Sequence, residues 1–279
     1  MNKRKCGKVD KVDIKYSHKV GEIWGIPIFS SGYGQVLEII EEWLNNKQEK
    51  KWVATVNPEF VMKAREDKEF MAMLREKTAL NVIDGVGLLW AMKIKKKKNR
   101  IREGLKVGLE IIRGKHRQQI ASGSDLMEGL CQRAAKKGWT VFFLGGWGDR
   151  AERTARYFLS RYPLLRIKGT YSGMATGEDK KILEQIGKER VDILFVAYGM
   201  KRQEEWIDRN LKKLKVGMVM GVGRSFDYYS GDLKRAPMML RKMGLEWLYS
   251  LVKEPKRWRR QMELPKFVAR ILLDSGKVT

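Results

Sequence analysis

Short apolar runs alternate along this chain with longer segments in which apolar residues recur every third or fourth position. The short runs are typical of buried strands, and the longer segments are typical of amphipathic helices. Residues 51–66 predict a strand, a turn and a helix, and residues 78–94 and 139–163 repeat this order. Strands that alternate with helices indicate a mostly parallel sheet with helices on both faces. The predicted fold is therefore α/β and Rossmann-like.

The two ends of the chain depart from this alternation. Residues 1–20 are charged and contain no apolar signal core, so they are predicted to form a disordered basic leader. Residues 22–30 predict one short strand, which begins an α/β domain over residues 21–233. Residues 234–279 alternate large apolar residues with basic ones and contain no predicted strand, which indicates a C-terminal helical appendage.

The charge of the chain limits the classes of partner. The 58 Lys and Arg residues outnumber the 33 Asp and Glu residues and give a formal net charge of +25. This excess of positive charge favours an anionic partner. The candidates are a nucleic acid, an anionic membrane surface and a phosphorylated substrate. The two cysteines and two histidines lack metal-ligand spacing, so no metal and no cofactor are predicted. No apolar run is long enough to predict a transmembrane helix.

Several polar or glycine-rich stretches directly follow predicted strands, where open α/β sheets bind their ligands. Asp84 ends a buried strand, where it is either a general base with a raised pKa or the N-cap of the next helix. Thr55 and Asn57 end a neighbouring strand, and they either bind a sugar or nucleotide or form an ordinary Asn-Pro turn. The other candidates at strand ends are Gly145, Gly146, Gln203, Glu204, Gly221, Gly223 and Asp227.

Each of these other candidates has two interpretations. Glycine-rich turns that precede helices expose backbone N–H groups that suit a phosphate. The turn at Gly145 and Gly146 lacks the complete dinucleotide fingerprint, so a plain tight turn fits it as well, and the same holds for residues 221–227. Gln203 and Glu204 open a predicted helix, where they either contact a polar ligand or cap the helix.

The C-terminal stretch is both apolar and cationic. Residues 234–270 contain eleven Lys or Arg and three Glu, a net charge of +8, among Trp, Leu and Met residues. Basic helices of this kind favour membrane surfaces or partner helices, and Arg235 is a candidate to bind an anionic substrate. The alternative is a helix that packs on the core and exposes a solvated cationic face.

Eight segments of the chain, taken in order, resemble the WecG/TagA/CpsF family of glycosyltransferases. They extend over about residues 22–270 and include TVNPEFVMKAR, DGVGLLWA, GSDL, VFFLGG, RYPLLRIKGTYSG, DILFVAYG with QEEWI, GVGRSFDYYSGDLKRAP and GLEWLYSLVKEPKRWRR. Each segment is short, but their order along nearly the whole chain makes the resemblance specific.

The resemblance implies an activity and a set of roles. The expected reaction is inverting, metal-independent transfer of an N-acetylhexosamine, such as N-acetylmannosamine, from a UDP-sugar to a polyprenyl-diphosphate-linked GlcNAc acceptor in teichoic acid-type polymer synthesis. It implies that Asp84 is the base and that the C-terminal arginines reach the diphosphate and hold the enzyme on the membrane. The implied location is cytoplasmic, peripheral on the inner face of the plasma membrane. The positions that match the family's substrate contacts are Thr55, Asn57, Gln203, Arg257 and Arg260.

The chain also departs from the family pattern. Ile83 stands where a proline usually precedes the aspartate, Arg117 is the nearest arginine before GSDL, and Ser250 replaces an arginine after EWLY. The basic residues 95–117 form an insertion, and Arg224 interrupts a glycine motif. Because of these departures, the identity of the donor sugar nucleotide is undecided, and UDP-glucose and a UDP-uronic acid are alternatives. Whether the chain forms a homo-oligomer is undecided as well. A nucleic-acid-binding protein is a further alternative, which the absence of a recognisable nucleic-acid motif disfavours.

Overall fold

Seven parallel strands and one antiparallel edge strand form the central sheet, which the computed structural model describes within residues 19–46, 49–174 and 179–274. The strands are β1 (Val20–Ile23), β2 (Ile26–Phe29), β3 (Lys51–Val56), β4 (Leu80–Ile83), β5 (Thr140–Gly145), β6 (Arg166–Tyr171), β7 (Val191–Ala197) and β8 (Val216–Gly221). Their order across the sheet is β1-β2-β4-β3-β8-β7-β5-β6, and only β1 runs antiparallel to its neighbour. The predicted mostly parallel α/β fold is confirmed.

Helices cover both faces of the sheet. The α-helices are α1 (Gly32–Asn46), α2 (Pro58–Glu66), α3 (Lys68–Ala72), α4 (Val86–Ile94), α5 (Arg100–Ile112), α6 (Gly123–Lys137), α7 (Arg150–Arg161), α8 (Asp179–Gly187), α9 (Arg202–Asn210), α10 (Ser225–Tyr229), α11 (Met238–Lys242), α12 (Glu246–Lys253), α13 (Trp258–Gln261) and α14 (Glu263–Leu273). A π-helical turn covers Met73–Lys77, and 3-10 turns cover Arg117–Gln119 and Pro255–Arg257.

The core consists of two apolar layers, one on each face of the sheet. Successive side chains of β3 enter opposite layers, so that Trp52 and Val53 pack on different faces. One layer contains Trp206 of α9, and the other contains Leu130 of α6 and Phe158 of α7. Because both faces are covered, β5 and β8 are buried along their whole length, which explains their continuous apolar sequences.

The N-terminal segment differs from the sequence-based prediction, and the basic insertion forms an element for which the sequence analysis made no prediction. Residues 22–30, predicted as one strand, contain the end of β1, a tight turn and all of β2. In this turn Trp24 and Gly25 have positive φ angles of 46° and 79°. Trp24 tolerates this conformation because its ring packs edge-on to Phe267 at 5.6 Å and its Nε1 donates to Asp274 at 3.0 Å. The basic segment after residue 94 contains the helix α5. The predicted leader lies outside the described residues, apart from its last two.

The C-terminal helices pack in two different ways. The side chains of Phe267 and Ile271 on α14 are buried in the same core layer as α2 and α4. By contrast, α11, α12 and α13 bury no side chain completely. The last helix is therefore integrated into the α/β body, whereas the three before it lie on the surface. In the described part of the chain, no helix combines the length and the apolar character that a bilayer crossing requires.

We expect Phe267→Ala to lower the free energy of unfolding by about 3–5 kcal/mol, because it opens a cavity where the ring is 0% exposed. Leu273→Ala on the same helix is the control, and it should change the free energy by less than about 0.5 kcal/mol because Leu273 is 81% exposed. Urea unfolding measures both. Equal effects of the two substitutions would show that α14 does not pack into the core.

Candidate active site

A cavity of about 320 Å³ lies at the carboxyl ends of β3, β4, β7 and β8, which are adjacent at the centre of the sheet. The segments after these strands line its floor, the N-terminus of α6 lines one side, and residues of α12, α13 and α14 line the side opposite the sheet. In open parallel sheets this edge is the usual place for a ligand. The cavity therefore brings together strand ends and C-terminal helices that are far apart in the sequence.

Asp84 lies on the floor of this cavity. Its backbone N–H donates to the Val56 carbonyl at 2.8 Å, which continues the β3–β4 ladder by one residue. The N-cap position of α4 is occupied by Gly85, so Asp84 is not the cap that one interpretation of the sequence predicted. Within the described part of the chain, burial and nearby charges act on its carboxylate but no hydrogen-bond donor does, so the carboxylate can accept a proton from a ligand.

The environment of Asp84 raises its pKa. Burial makes the largest contribution, because it disfavours the charged form, and the nearby Glu246 carboxylate adds to it. The Arg235 guanidinium opposes both, and the pKa of Asp84 is raised to about 7. A carboxylate with a pKa near neutrality is suited to general base catalysis, because about half of it is ionised at neutral pH and the ionised form binds a proton well.

Thr55 and Asn57 line the cavity beside Asp84, each with a structural role as well. The Thr55 hydroxyl donates to the Gly221 carbonyl at 3.2 Å, which links the ends of β3 and β8. The Asn57 side chain accepts from the Phe60 N–H at 3.1 Å and caps α2, so the Asn-Pro turn forms as ordinary turn chemistry predicts. Both side chains still face the cavity.

Gln203 also lines the cavity, and Glu204 supports it from behind. Gln203 Nε2 donates to Glu204 at 2.8 Å, and its Oε1 accepts from the Gly223 N–H at 3.0 Å, which holds the glycine loop after β8. Glu204 accepts from the Lys201 N–H at 2.8 Å and caps α9. Burial raises the pKa of Glu204 to about 7. A Cβ on Gly221 would lie 2.4 Å from Gln203 Nε2, so any side chain at this position would displace the Gln203 amide.

Arg235 holds two carboxylates at the side of the cavity. Its Nη1 donates to Asp125 at 2.6 Å, its Nε donates to Glu246 at 3.0 Å, and its Nη2 donates to the Ser122 hydroxyl at 3.1 Å. Burial alone would raise the pKa of Asp125, but the hydrogen bond and charge of Arg235 outweigh it and lower that pKa. Arg235, Asp125 and Glu246 thus form a charged cluster, and the Glu246 carboxylate also raises the pKa of Asp84.

Two more arginines converge on Asp125. Arg117 Nη2 lies 3.6 Å from one of its carboxylate oxygens, and Arg241 Nη1 lies 3.5 Å from the other. Arg117 Nη1 also donates to the Arg241 backbone carbonyl at 2.9 Å. Arg241 Nε is buried, and among the described residues it has no hydrogen-bond acceptor. The cluster therefore carries more positive charge and donor capacity than its own carboxylates satisfy, which suits an anionic ligand.

The cavity is lined by seven of the predicted site residues, which are Thr55, Asn57, Asp84, Gln203, Gly223, Arg235 and Arg260. Arg260 is ion-paired with Glu59 at the start of α2. Glu204 and Gly221 lie behind the lining. Gly145 and Gly146 end the neighbouring strand β5 outside the cavity, and Asp227 is likewise outside it, paired with Arg150 at 2.7 Å. The side chain of Arg257 lies outside the described residues.

Sequence reasoning did not select Asp125, Arg241 or Glu246. Asp125 follows Ser122 by three residues, a spacing that predicts a capped helix start, and the two side chains are 2.7 Å apart. Asp125 lies more than 100 residues before Arg235 and Arg241 in the sequence, so no local signal pointed to their cluster. Over the ranges that the structure describes, no group of three or more His, Cys, Asp or Glu side chains is arranged to hold a metal ion.

Comparison with known proteins gives a consistent assignment. The chain is 27% identical over 250 residues to an N-acetylglucosaminyldiphosphoundecaprenol N-acetyl-beta-D-mannosaminyltransferase of Bacillus subtilis (strain 168), covering 90% of both chains. It is 29% identical over 221 residues to the protein of the same name from Bacillus spizizenii (strain ATCC 23059 / NRRL B-14472 / W23), covering 79% of this chain and 78% of the other. The glycosyl transferase WecG/TagA/CpsF family matches residues 21–103 and 103–278. The protein therefore belongs to the WecG/TagA/CpsF family of glycosyl transferases.

Proposed function

We propose that this protein transfers an N-acetylhexosamine, N-acetylmannosamine in the first instance, from a UDP-sugar to a polyprenyl-diphosphate-linked GlcNAc acceptor, with inversion at the anomeric carbon. The observation that carries the proposal is the Asp84 carboxylate on the cavity floor, without a hydrogen-bond donor among the described residues and with its pKa raised to about 7. The names of the Bacillus relatives supply the donor sugar and the acceptor.

In the proposed reaction, the acceptor hydroxyl attacks the anomeric carbon from the face opposite the UDP. Asp84 accepts the hydroxyl proton, the new C–O bond forms, and the bond to the UDP oxygen breaks with its electron pair leaving on UDP. Attack opposite the leaving group inverts the configuration. A positioned base contributes a factor of about 10²–10⁴ to the rate, which is the share that Asp84 would supply.

The negative charge that develops on UDP needs fixed positive groups nearby. Arg235 and Arg241 line the same cavity as Asp84, and the cluster around Asp125 holds their guanidinium groups in place. Planar guanidinium groups bind phosphate oxygens through paired hydrogen bonds. In this assignment Thr55, Asn57 and Gln203 contact the sugar nucleotide on the strand side of the cavity.

If the acceptor is lipid-linked as proposed, the enzyme has to work at a membrane surface. We propose that residues 234–279 form its peripheral attachment to the inner face of the plasma membrane, since Met238, Met239, Val252 and Trp258 are exposed among basic residues. Lysines and arginines are attracted to anionic headgroups, and exposed Trp and Met side chains enter the interface.

A different donor is the second candidate. Arg224, which stands in a glycine motif of the family, lines the cavity and pairs with Glu254 and with Asp227 at 3.7 Å. An additional cation near the donor is a feature that a UDP-uronic acid could use, because its carboxylate would pair with it.

A donor screen tests these alternatives. Purified enzyme receives a short-chain prenyl-diphosphate-GlcNAc acceptor and, in turn, UDP-N-acetylmannosamine, UDP-N-acetylglucosamine, UDP-glucose or UDP-glucuronic acid, and released UDP is measured. We expect turnover with UDP-N-acetylmannosamine and a product of inverted anomeric configuration by NMR. Turnover with UDP-glucuronic acid alone would support the second candidate.

A thermal-shift measurement tests both candidates against nucleic-acid binding. A rise in melting temperature with nucleic acid but not with UDP would contradict both candidates.

A further inference from the structure

The helix α5 has two apolar faces, and only one of them is covered. Val107 and Ile111 are buried against the body, and Trp90 of α4 donates to the Gly104 carbonyl at 2.9 Å. The residues Ile101, Leu105, Leu109 and Ile112 point away and are 67%, 74%, 48% and 49% exposed. Spacings of four, four and three residues place these four side chains in one line along the helix. We call this line the α5 stripe.

Positive charge surrounds the α5 stripe. Residues 95–117 contain ten Lys or Arg and two Glu. One of the acidic residues, Glu110, already pairs with His116 at 2.9 Å. Seven of the basic residues are exposed, and these are Lys96, Lys97, Lys98, Arg102, Lys106, Arg113 and Lys115. An exposed row of apolar side chains flanked by cations is complementary to a bilayer surface, which has anionic headgroups outside and acyl chains beneath them.

The helix lies beside the cavity and is fastened at both ends. At its start, Arg100 donates to the Ile271 carbonyl of α14 at 3.0 Å. At its end, the chain reaches Arg117, which lines the cavity and donates to the Arg241 carbonyl. A Cβ on Gly244 would lie 3.0 Å from Ile111, so α5 also contacts the segment between α11 and α12. The two segments of the chain that match the family, residues 21–103 and 103–278, meet inside α5.

We propose that the α5 stripe, with its flanking basic residues, docks onto a bilayer surface that contains anionic lipid and so brings the cavity to an acceptor held in that bilayer. Burial of the four side chains between the lipid headgroups removes apolar surface from water, and the seven exposed cations bind the headgroups. A second copy of this chain is a poorer occupant, because a two-fold pairing of α5 on α5 would bring the same cations together. The inference rests on the proposed function only for the location of the acceptor.

The test uses the full chain with Leu105→Gln and Leu109→Gln together. Glutamine keeps the helix propensity of leucine, and both positions are exposed, so the fold should be retained and circular dichroism checks this. The control carries Leu159→Gln and Leu164→Gln, two exposed leucines at and after the end of α7. Co-sedimentation with vesicles of phosphatidylcholine plus phosphatidylglycerol, and of phosphatidylcholine alone, measures binding.

We expect the α5 variant to bind the anionic vesicles at least about tenfold more weakly than the wild type, since two leucines no longer enter the apolar layer. The control should bind as the wild type does, and wild-type binding should fall with added salt. Unchanged binding by the α5 variant, or wild-type binding that is equal on both kinds of vesicle, would overturn the proposal.

Two further measurements separate this proposal from the others. Sedimentation equilibrium without vesicles measures the oligomeric state of the wild type and of the α5 variant. A dimeric wild type with a monomeric α5 variant would assign the α5 stripe to a second copy of the chain, and this would overturn the proposal that it binds lipid. Transfer to a short-chain soluble acceptor should be unchanged in the α5 variant. If the wild type binds vesicles through α5 but transfers no sugar to any acceptor, the proposed function fails and the docking surface remains.

Discussion

Asp84→Asn is expected to lower the rate of sugar transfer by a factor of about 100 or more, while UDP binding stays within about twofold of wild type. Asparagine has nearly the same shape but cannot accept the acceptor proton as a carboxylate does. The carboxylate accepts no hydrogen bond from the described residues, so the substitution breaks no structural contact. Released UDP measures the rate, and calorimetry measures UDP binding. Retention of more than about a tenth of kcat would exclude Asp84 as the base.

The pH dependence gives an independent check of the same role. The pKa of Asp84 is raised to about 7, and only the ionised form can act as the base. We therefore expect kcat/KM of the wild type to fall tenfold per pH unit below about pH 7 and to level off above it. The residual rate of Asp84→Asn should lack this dependence. A wild-type profile that is flat from pH 5 to pH 8 would contradict the assignment.

The same substitution should stabilise the fold at neutral and alkaline pH. The folded-state pKa of Asp84 is raised from the ordinary value of 3.8 to about 7, so the folded state holds the proton more tightly than the unfolded state. Ionisation of Asp84 therefore costs stability as the pH rises from about 4 to about 7, and the cost is constant above that. Asparagine carries no charge, and its advantage should grow over this range. Urea unfolding at several pH values measures it.

Arg235→Met should lower the free energy of unfolding by about 3 kcal/mol, the low end for a broken buried ion pair. The arginine side chain is 16% exposed and is bonded to Asp125, Glu246 and Ser122, so its removal leaves two partly buried carboxylates with fewer donors. Arg153→Met is the control, because Arg153 also pairs with two carboxylates but at the surface. The control should lose much less stability, because exposed ion pairs are screened by water and salt.

The activity of Arg235→Met should change in a characteristic way as well. Arg235 lowers the pKa of Asp84, so its loss should move the acidic limb of the kcat/KM profile to higher pH. If Arg235 also binds the diphosphate, KM for the UDP-sugar should rise at every pH, whereas Arg153→Met should leave both quantities unchanged. An unshifted profile together with an unchanged KM would assign Arg235 to stability alone.

The sequence predicted the sheet, the edge of the sheet that carries the cavity, and the position of Asp84 at that edge. These features depend on local order along the chain, because buried parallel strands are continuous apolar runs and the carboxyl ends of parallel strands meet at one edge. The residues that follow β3, β4 and β7 could therefore be placed together without knowledge of any contact between them. The prediction was wrong about β5, the neighbour of β7 in the sheet. Gly145 and Gly146 follow this strand, but they do not line the cavity.

Only the tertiary structure decided the roles within the site. Asn57 and Glu204 have side chains that suit both a cap and a ligand contact, and the positions of Phe60 and Lys201 show that both act as caps. The cluster around Asp125 joins side chains from distant parts of the chain, whose approach depends on packing rather than on local pattern.

The C-terminal part of the chain shows the same division between sequence and structure. Its composition of basic and large apolar residues was evident from the sequence, but composition does not state which apolar side chains are covered. Packing buries Phe267 and leaves Trp258 exposed, and it likewise buries Ile111 on α5 while Leu105 remains in solvent. The sequence by itself determined the architecture, because that follows from short-range periodicity, and it placed Asp84 at the end of a buried strand, where a base and a cap fitted equally well. The tertiary structure decided the charged cluster and the exposed apolar line, because both depend on which distant segments meet.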